Sequence, residues 1–226
     1  MKILAVETAC STASAALLED KIVLAEFSIN NKKSHSVKLI PLIKDLLEYS
    51  GFEPGDIDIF ACDMGPGSFT GLRIGVVTVK TLGFALDKPA VGVVSLDALA
   101  HSGFAFKNVY VCPVIDARNS RCYTSLYFDG KRCIDYCVMT VDGLTEEIKK
   151  RDYPVLFCGD GVQAYGEQFK ERLGGLYGEL PPELLLNKAS CIGEIVWEMH
   201  LKGGKMPEAE PFYLRPSQAE RLKNGD

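Results

Sequence analysis

Apolar residues in this chain come in short runs broken by charges and glycines, and the period of the runs changes in a regular order. Residues 3–7 read as a short buried strand, and 13–19 with 22–28 flank a Glu-Asp-Lys turn as a hairpin. Residues 35–49 then place Leu39, Leu42, Ile43, Leu46 and Leu47 at helical spacing, with Gly51 as a stop and a kink expected at Pro41. A strand over 57–63, a glycine-rich loop, a helix over 70–86 and a strand over 90–94 complete the first series. The second half repeats that order. It predicts a strand over 109–115, a hairpin of 122–128 and 132–140 about an Asp-Gly turn, and a helix over 144–151. A strand over 155–158 and a helix over 162–173 follow. Further on come a helix over 190–201 with the single Trp, an extended stretch over 207–216 and a short polar helix over 217–223.

The repetition extends to spacing. Glu7 and Asp20 stand 13 residues apart, and so do Asp116 and Asp129. Clustered glycines follow the later strand of each half: Gly65 and Gly67, then Gly159 and Gly161. Order and spacing together predict a duplicated α/β fold. A ββαβα-type unit present twice, with an acid after each first strand, is how the actin-like ATPase fold is organised. Two lobes are therefore expected, residues 1–104 and 105–226, each a mixed sheet with helices and with the C-terminal segment free to pack back on the first. A fold by itself supplies no function.

Composition narrows the classes. The 226 residues are 47% hydrophobic and 24% charged, ordinary for a globular protein, and the net charge is −5. An acidic chain with no Lys/Arg run lacks the footprint of a protein that grips nucleic acid alone, so RNA contact is expected only through a partner. The apolar run at 3–6 is cut by Glu7, too short for a signal sequence. No run is expected to reach membrane-span length, and the location expected is the cytoplasm. Eight cysteines include no Cys-x-x-Cys pair, which points to scattered reduced thiols and no metal framework.

The densest chemical signal is Gly65-Pro66-Gly67-Ser68-Phe69-Thr70-Gly71-Leu72-Arg73-Ile74-Gly75, between a strand and a helix. It suits either a phosphate cradle at a helix N-terminus or a tight turn whose glycines let the helix pack closely. It is not a Walker A loop, since no Gly-Lys-Ser/Thr follows. The helix after it is apolar round most of its circumference, which requires cover on more than one side. Gly75, Val79, Leu82 and Leu86 form one stripe, and His35, Leu39, Leu42 and Leu46 another on the preceding helix. Together they predict a hydrophobic pairing surface.

The strings GPGSFTGLRIG, KSHSVKLIPLIKDLL, VIDARNSRCY and PFYLRPSQAE resemble, in order and across almost the whole chain, the bacterial TsaB (YeaZ) family. The resemblance implies a non-catalytic scaffold subunit of the machinery that transfers a threonylcarbamoyl group to N6 of the adenosine beside the tRNA anticodon. It implies as partners a TsaD-like catalytic subunit and a TsaE-like ATPase, with tRNA reached only through the complex and a homodimer when alone. The two metal-binding histidines of TsaD-like relatives fall here at Ser95 and Leu99, neither of which replaces an imidazole. None of His35, His101 and His200 is paired at ligand spacing. The first hairpin reads Glu7-Thr8-Ala9-Cys10-Ser11, without the Asp-x-Gly of an active member, and Glu7 stands where the family usually has Asp. No catalytic residue, metal or cofactor is expected. Asp116, Arg118, Gly159, Asp160 and Gly161 remain as a residual anion or nucleotide cleft. The competing readings are an ATP-dependent small-molecule kinase or ATPase of the same fold, and a metallopeptidase-like protein.

Overall fold

The computed structural model describes residues 1–30 and 35–215, the side chains of His35 and Ser36 excepted. The helix expected over 217–223 lies outside the described residues. In the first half, strands β1 (Lys2–Glu7), β2 (Thr12–Glu19) and β3 (Ile22–Asn30) lead to helix α1 (His35–Ser50). Strand β4 (Ile59–Gly65), helix α2 (Phe69–Leu86), strand β5 (Ala90–Val94) and helix α3 (Ser95–His101) follow. The second half runs β6 (Tyr110–Asp116), β7 (Arg121–Phe128), β8 (Lys131–Thr140), α4 (Val141–Lys149), β9 (Val155–Cys158), α5 (Gly161–Leu173), β10 (Tyr177–Glu179) and α6 (Ala189–Leu201).

The two sheets have one topology. The first is ordered β3-β2-β1-β4-β5 and the second β8-β7-β6-β9-β10, with antiparallel hairpins at one side and parallel strands at the other. Glu7 ends β1 as Asp116 ends β6. Apolar faces decide how the layers stack. Leu39, Leu42, Ile43, Leu46 and Leu47 of α1 and Val76 and Val79 of α2 pack with Leu4, Leu17 and Phe60 on one face of the first sheet. Ile192 and Val196 of α6 cover its other face, against Ile3, Ala5 and Leu18. Helices α4 and α5 cover the second sheet through Leu144, Ile148, Tyr165 and Phe169. A further cluster fills the seam between lobes, drawing Ala9, Leu72 and Leu99 from one half and Val111, Ile115 and Tyr127 from the other.

Two expectations are corrected. Helix α2 is long and apolar enough to cross a membrane by length and composition, contrary to the expectation that no run would be. Here Gly71, Leu72, Gly75, Val76, Val79 and Gly83 are buried within the fold, so one face of the helix belongs to the core. Helix α4 begins at Val141, three residues before the expected start, because the Thr140 hydroxyl caps it by accepting from Gly143 N. Helix α6, from the C-terminal part of the chain, packs on the first sheet.

Candidate functional site

The seam between the lobes is where chain ends, glycine turns and acids converge. Glu7 at the end of β1 and Asp63 in β4 are both fully buried on neighbouring parallel strands. The two carboxyls are not equivalent. Asp63 accepts from Thr8 N (3.2 Å), Ala9 N (3.0 Å) and the Ser95 hydroxyl (3.2 Å). Glu7 accepts from Cys10 N at 3.0 Å through Oε1, and its Oε2 has no partner. Burial pushes Asp63 up to about 6 against the pull of its three donors. Burial and the nearby Asp63 carboxylate push Glu7 well above the ordinary range. With its extra donors Asp63 is the group that ionises, and Glu7 the one that keeps its proton. Burial, then the neighbouring Asp160 carboxylate, raise the Cys10 thiol as well, so it is no nucleophile.

Ser95 and Leu99 both lie in α3 and are both buried. Besides bonding Asp63, the Ser95 hydroxyl accepts from Gly65 N at 3.1 Å, so it ties α3 to the end of β4, where the strand-to-helix turn begins. Leu99 belongs to the seam cluster and presses on Gly159, where an added Cβ would stand 2.7 Å from its Cδ2. The two positions hold core-building groups and no metal ligands. No set of three His, Cys, Asp or Glu among the described residues could hold a metal ion.

The glycine-rich loop is a packing device. Helix α2 sits so close to the first hairpin that a Cβ on Gly71 would overlap the Thr8 carbonyl oxygen. The Thr8 hydroxyl donates to Gly71 O at 2.9 Å, Ser68 N to Ala9 O at 2.7 Å, and Gly71 N to the Ser68 hydroxyl at 3.3 Å. Two of the turn's amides, Ser68 N and Gly71 N, are thus spent within the fold, and with the close approach at Gly71 this favours the close-packing alternative.

In the second lobe the expected cleft residues do meet. Asp116 N donates to Asp160 Oδ1 at 3.1 Å, while Asp116 Oδ1 accepts from Arg118 N (2.7 Å) and the Tyr165 hydroxyl (2.6 Å). Burial raises Asp160. Gly159 is buried at φ +105°, the counterpart of Gly65 at +115°, and Gly161 lies against Val114. Asp116 and Arg118 are exposed at the rim.

The expected pairing stripes need correction. Leu39, Leu42, Leu46, Gly75 and Val79 are buried in the chain's own core, because the stripe with the strongest apolar period is the one the sheet takes. The His35 side chain lies outside the described residues. Leu82 and Leu86 are half-buried. What α1 and α2 leave to solvent is Val37, Ile40 and Tyr49 on one, and Val77 and Phe84 on the other, with Phe84 90% exposed. A groove of about 300 Å³ runs between them, lined by Ile40, Ile43, Leu47, Phe52 and Leu82.

Sequence reasoning missed Asp63, although a lone acid in the apolar run Ile-Phe-Ala-Cys-Asp-Met-Gly was a signal. It also missed α3, too short to show a period. Asp97 of that helix accepts from the Tyr127 hydroxyl (2.5 Å) and the Tyr136 hydroxyl (2.6 Å) of the second lobe.

Residues 22–196 match the family model of TsaD, described as tRNA N6-adenosine threonylcarbamoyltransferase. The chain is 38% identical over 179 residues to the tRNA threonylcarbamoyladenosine biosynthesis protein TsaB of Bacillus subtilis, covering 77% of each. It is 32% identical over 228 residues to the protein of the same name in Escherichia coli, covering 97% of this chain and 96% of that one. Among solved structures, YeaZ from Pseudomonas aeruginosa superimposes with a TM-score of 0.74 at 25% identity, covering 94% of this chain and 99% of that one. The duplicated architecture is that of the actin-like ATPase fold.

Proposed function

This chain belongs to the TsaB family of tRNA threonylcarbamoyladenosine biosynthesis proteins, and on that premise we propose that it is a non-catalytic scaffold subunit of the modifying complex. The observation that carries the reading is the seam: Leu99 and its apolar neighbours occupy the space between lobes, and Ser95 is spent on Asp63 and Gly65. The Asp63 carboxyl beside it is fully buried and already accepts from Thr8 N, Ala9 N and the Ser95 hydroxyl. The same two positions argue against the metallopeptidase reading, because an alkyl group cannot ligate a metal and this hydroxyl is already engaged. The kinase or ATPase reading has the rim residues Asp116 and Arg118 in its favour, but the Gly-rich loop spends Ser68 N and Gly71 N on the fold and packs directly on Thr8 and Ala9.

The partner reading is a TsaD-like catalytic subunit, with a TsaE-like ATPase in the working complex and tRNA held only through the assembly. The exposed apolar residues of α1 and α2, with the groove between them, support a pairing surface there. In the absence of the partner, the same surface closes a two-fold homodimer. Phe84→Glu and Ile40→Glu put charges on groups the monomer leaves in water, so the chain stays folded while both assemblies weaken. Sedimentation of the purified variants and pull-down with a TsaD-like protein test this, with ATP turnover measured on the lone chain. A folded Phe84→Glu variant that still dimerises and still captures its partner moves the surface elsewhere. Turnover on the order of 1 per second by the chain alone overturns the non-catalytic reading.

A further inference from the structure

The segment 207–215, which runs into the PFYLRPSQAE string at Pro211, returns from α6 and crosses both lobes. It first adds to the free edge of β5: Gly92 N donates to Pro207 O (3.0 Å) and Ala209 N to Ala90 O (3.1 Å), with Ala209 buried. It then passes over the glycine-rich turn. Phe212 N donates to Met64 O at 2.6 Å, and the strap runs so near that a Cβ on Gly65 would overlap the Phe212 carbonyl oxygen. Tyr213 stacks on Phe69 with ring centres 4.6 Å apart and planes 13° apart, and its hydroxyl accepts from Arg73 Nε at 3.1 Å. The far end reaches the second lobe. Phe212 meets Tyr136 edge-on at 6.0 Å, Leu214 packs on the seam cluster, and Arg215 Nη1 donates to Ala117 O at 3.4 Å.

We propose that 207–215 is an interlobe clasp, latched by Tyr213, that holds the glycine-rich turn of the first lobe and the hairpin loop of the second in one fixed relation. The reasoning is mechanical. A segment that merely covered the β5 edge would need only the bonds at Ala90 and Gly92. This one continues past the edge and makes its aromatic stack on the turn at 65–69 and its last bond on the loop at 117–121. Both are the loops that follow an inner strand, and both border the apolar seam. Prolines at 207 and 211 keep the segment from becoming a full sixth strand, so it stays a strap held at separate points. Three successive residues of the second-lobe loop, Arg118, Asn119 and Ser120, hold left-handed backbone at φ 62°, 53° and 54°. Non-glycine residues keep that conformation only when their surroundings hold it, and the Arg215 bond to Ala117 O lies at the loop's base.

A clasp is distinguished from local packing by action at the opposite end. Hydrogen exchange on the full chain reads this directly, comparing wild type with Tyr213→Ala and Arg215→Ala. Tyr213→Ala removes the first-lobe latch, and exchange in 117–121 should rise about tenfold. Arg215→Ala frees the second-lobe end, and exchange in 65–69 should rise several-fold, while β1 and β6 stay at wild-type rates. Tyr213→Phe keeps the stack and loses only the Arg73 bond, so its effect should be intermediate; it also serves if Tyr213→Ala does not fold. If each variant speeds exchange only at its own end, the segment is a packed tail and the clasp is wrong.

Discussion

Two buried carboxyls, Glu7 and Asp63, make the stability of this protein depend on pH in an unusual direction. Asp63 titrates near 6 in the fold against an ordinary 3.8. Between those values the native chain holds more protons than the unfolded one, so unfolding free energy falls as pH rises. Glu7, raised well above its ordinary value by burial and the nearby Asp63, adds to the fall in the same direction. Glu7→Gln removes the need to protonate a carboxyl on folding. It should stabilise the protein at pH 7 by about 1–3 kcal/mol, and the gain should vanish near pH 4. Urea unfolding of both proteins at the two pH values checks this. An equal effect at both means that Glu7 is not the group that holds the proton.

Helix α2 shows how an element can look like one thing and be another. Its run of small and apolar residues reads as a phosphate-loop helix, a membrane span or a pairing helix, depending on which face is considered. The structure sets Gly71 and Gly75 against the first hairpin and the stripe Leu72, Val76 and Val79 in the core, leaving Val77 and Phe84 outside. In an open helix Gly71→Ala would gain about 1 kcal/mol of propensity. Against the Thr8 carbonyl it should instead cost about 1–3 kcal/mol, since the clash is with backbone that cannot swing away. Gly55→Ala, with open space at its Cβ position, is the control and should be near neutral. Thermal unfolding of the pair decides the matter.

At the scale of the molecule, the two lobes are joined by more than their connecting chain. The apolar seam, the C-terminal strap and the Asp97 tie to Tyr127 and Tyr136 all cross between halves. Arg132 lies over the Tyr136 ring at 4.1 Å, and Asp97 and burial both hold the two phenols in their neutral form. Hydrogen bonds to a charged acceptor contribute about 1.5–3 kcal/mol each. Asp97→Ala, which removes two such bonds, should therefore lower the melting midpoint by about 6 °C or more, measured by circular dichroism. An unchanged midpoint would place lobe cohesion in the apolar seam alone.

What the sequence determined by itself was the duplicated plan. Period changes between 2 and 3.6 and the repeated 13-residue interval from Glu7 to Asp20 and from Asp116 to Asp129 are local properties, visible without contacts. The strands at 90–94 and 155–158 emerged with the bounds the structure has, because each is a short apolar run closed by turn residues. Short elements such as α3 and β10 were not legible, since seven and three residues carry too little period to stand out. Nor was the side of a helix that faces out. Leu42 and Ile40 are both aliphatic, and only the position of the sheet makes one core and the other surface. The chemistry of Ser95 and Asp63 was hidden for the same reason. They are 32 residues apart, and their hydrogen bond exists only because α3 follows a strand that lies parallel to β4. Residue types carry the local rules, but which groups share a buried space is settled by long-range packing, where one neighbour turns a hydroxyl into a structural tie and another leaves a phenylalanine in water.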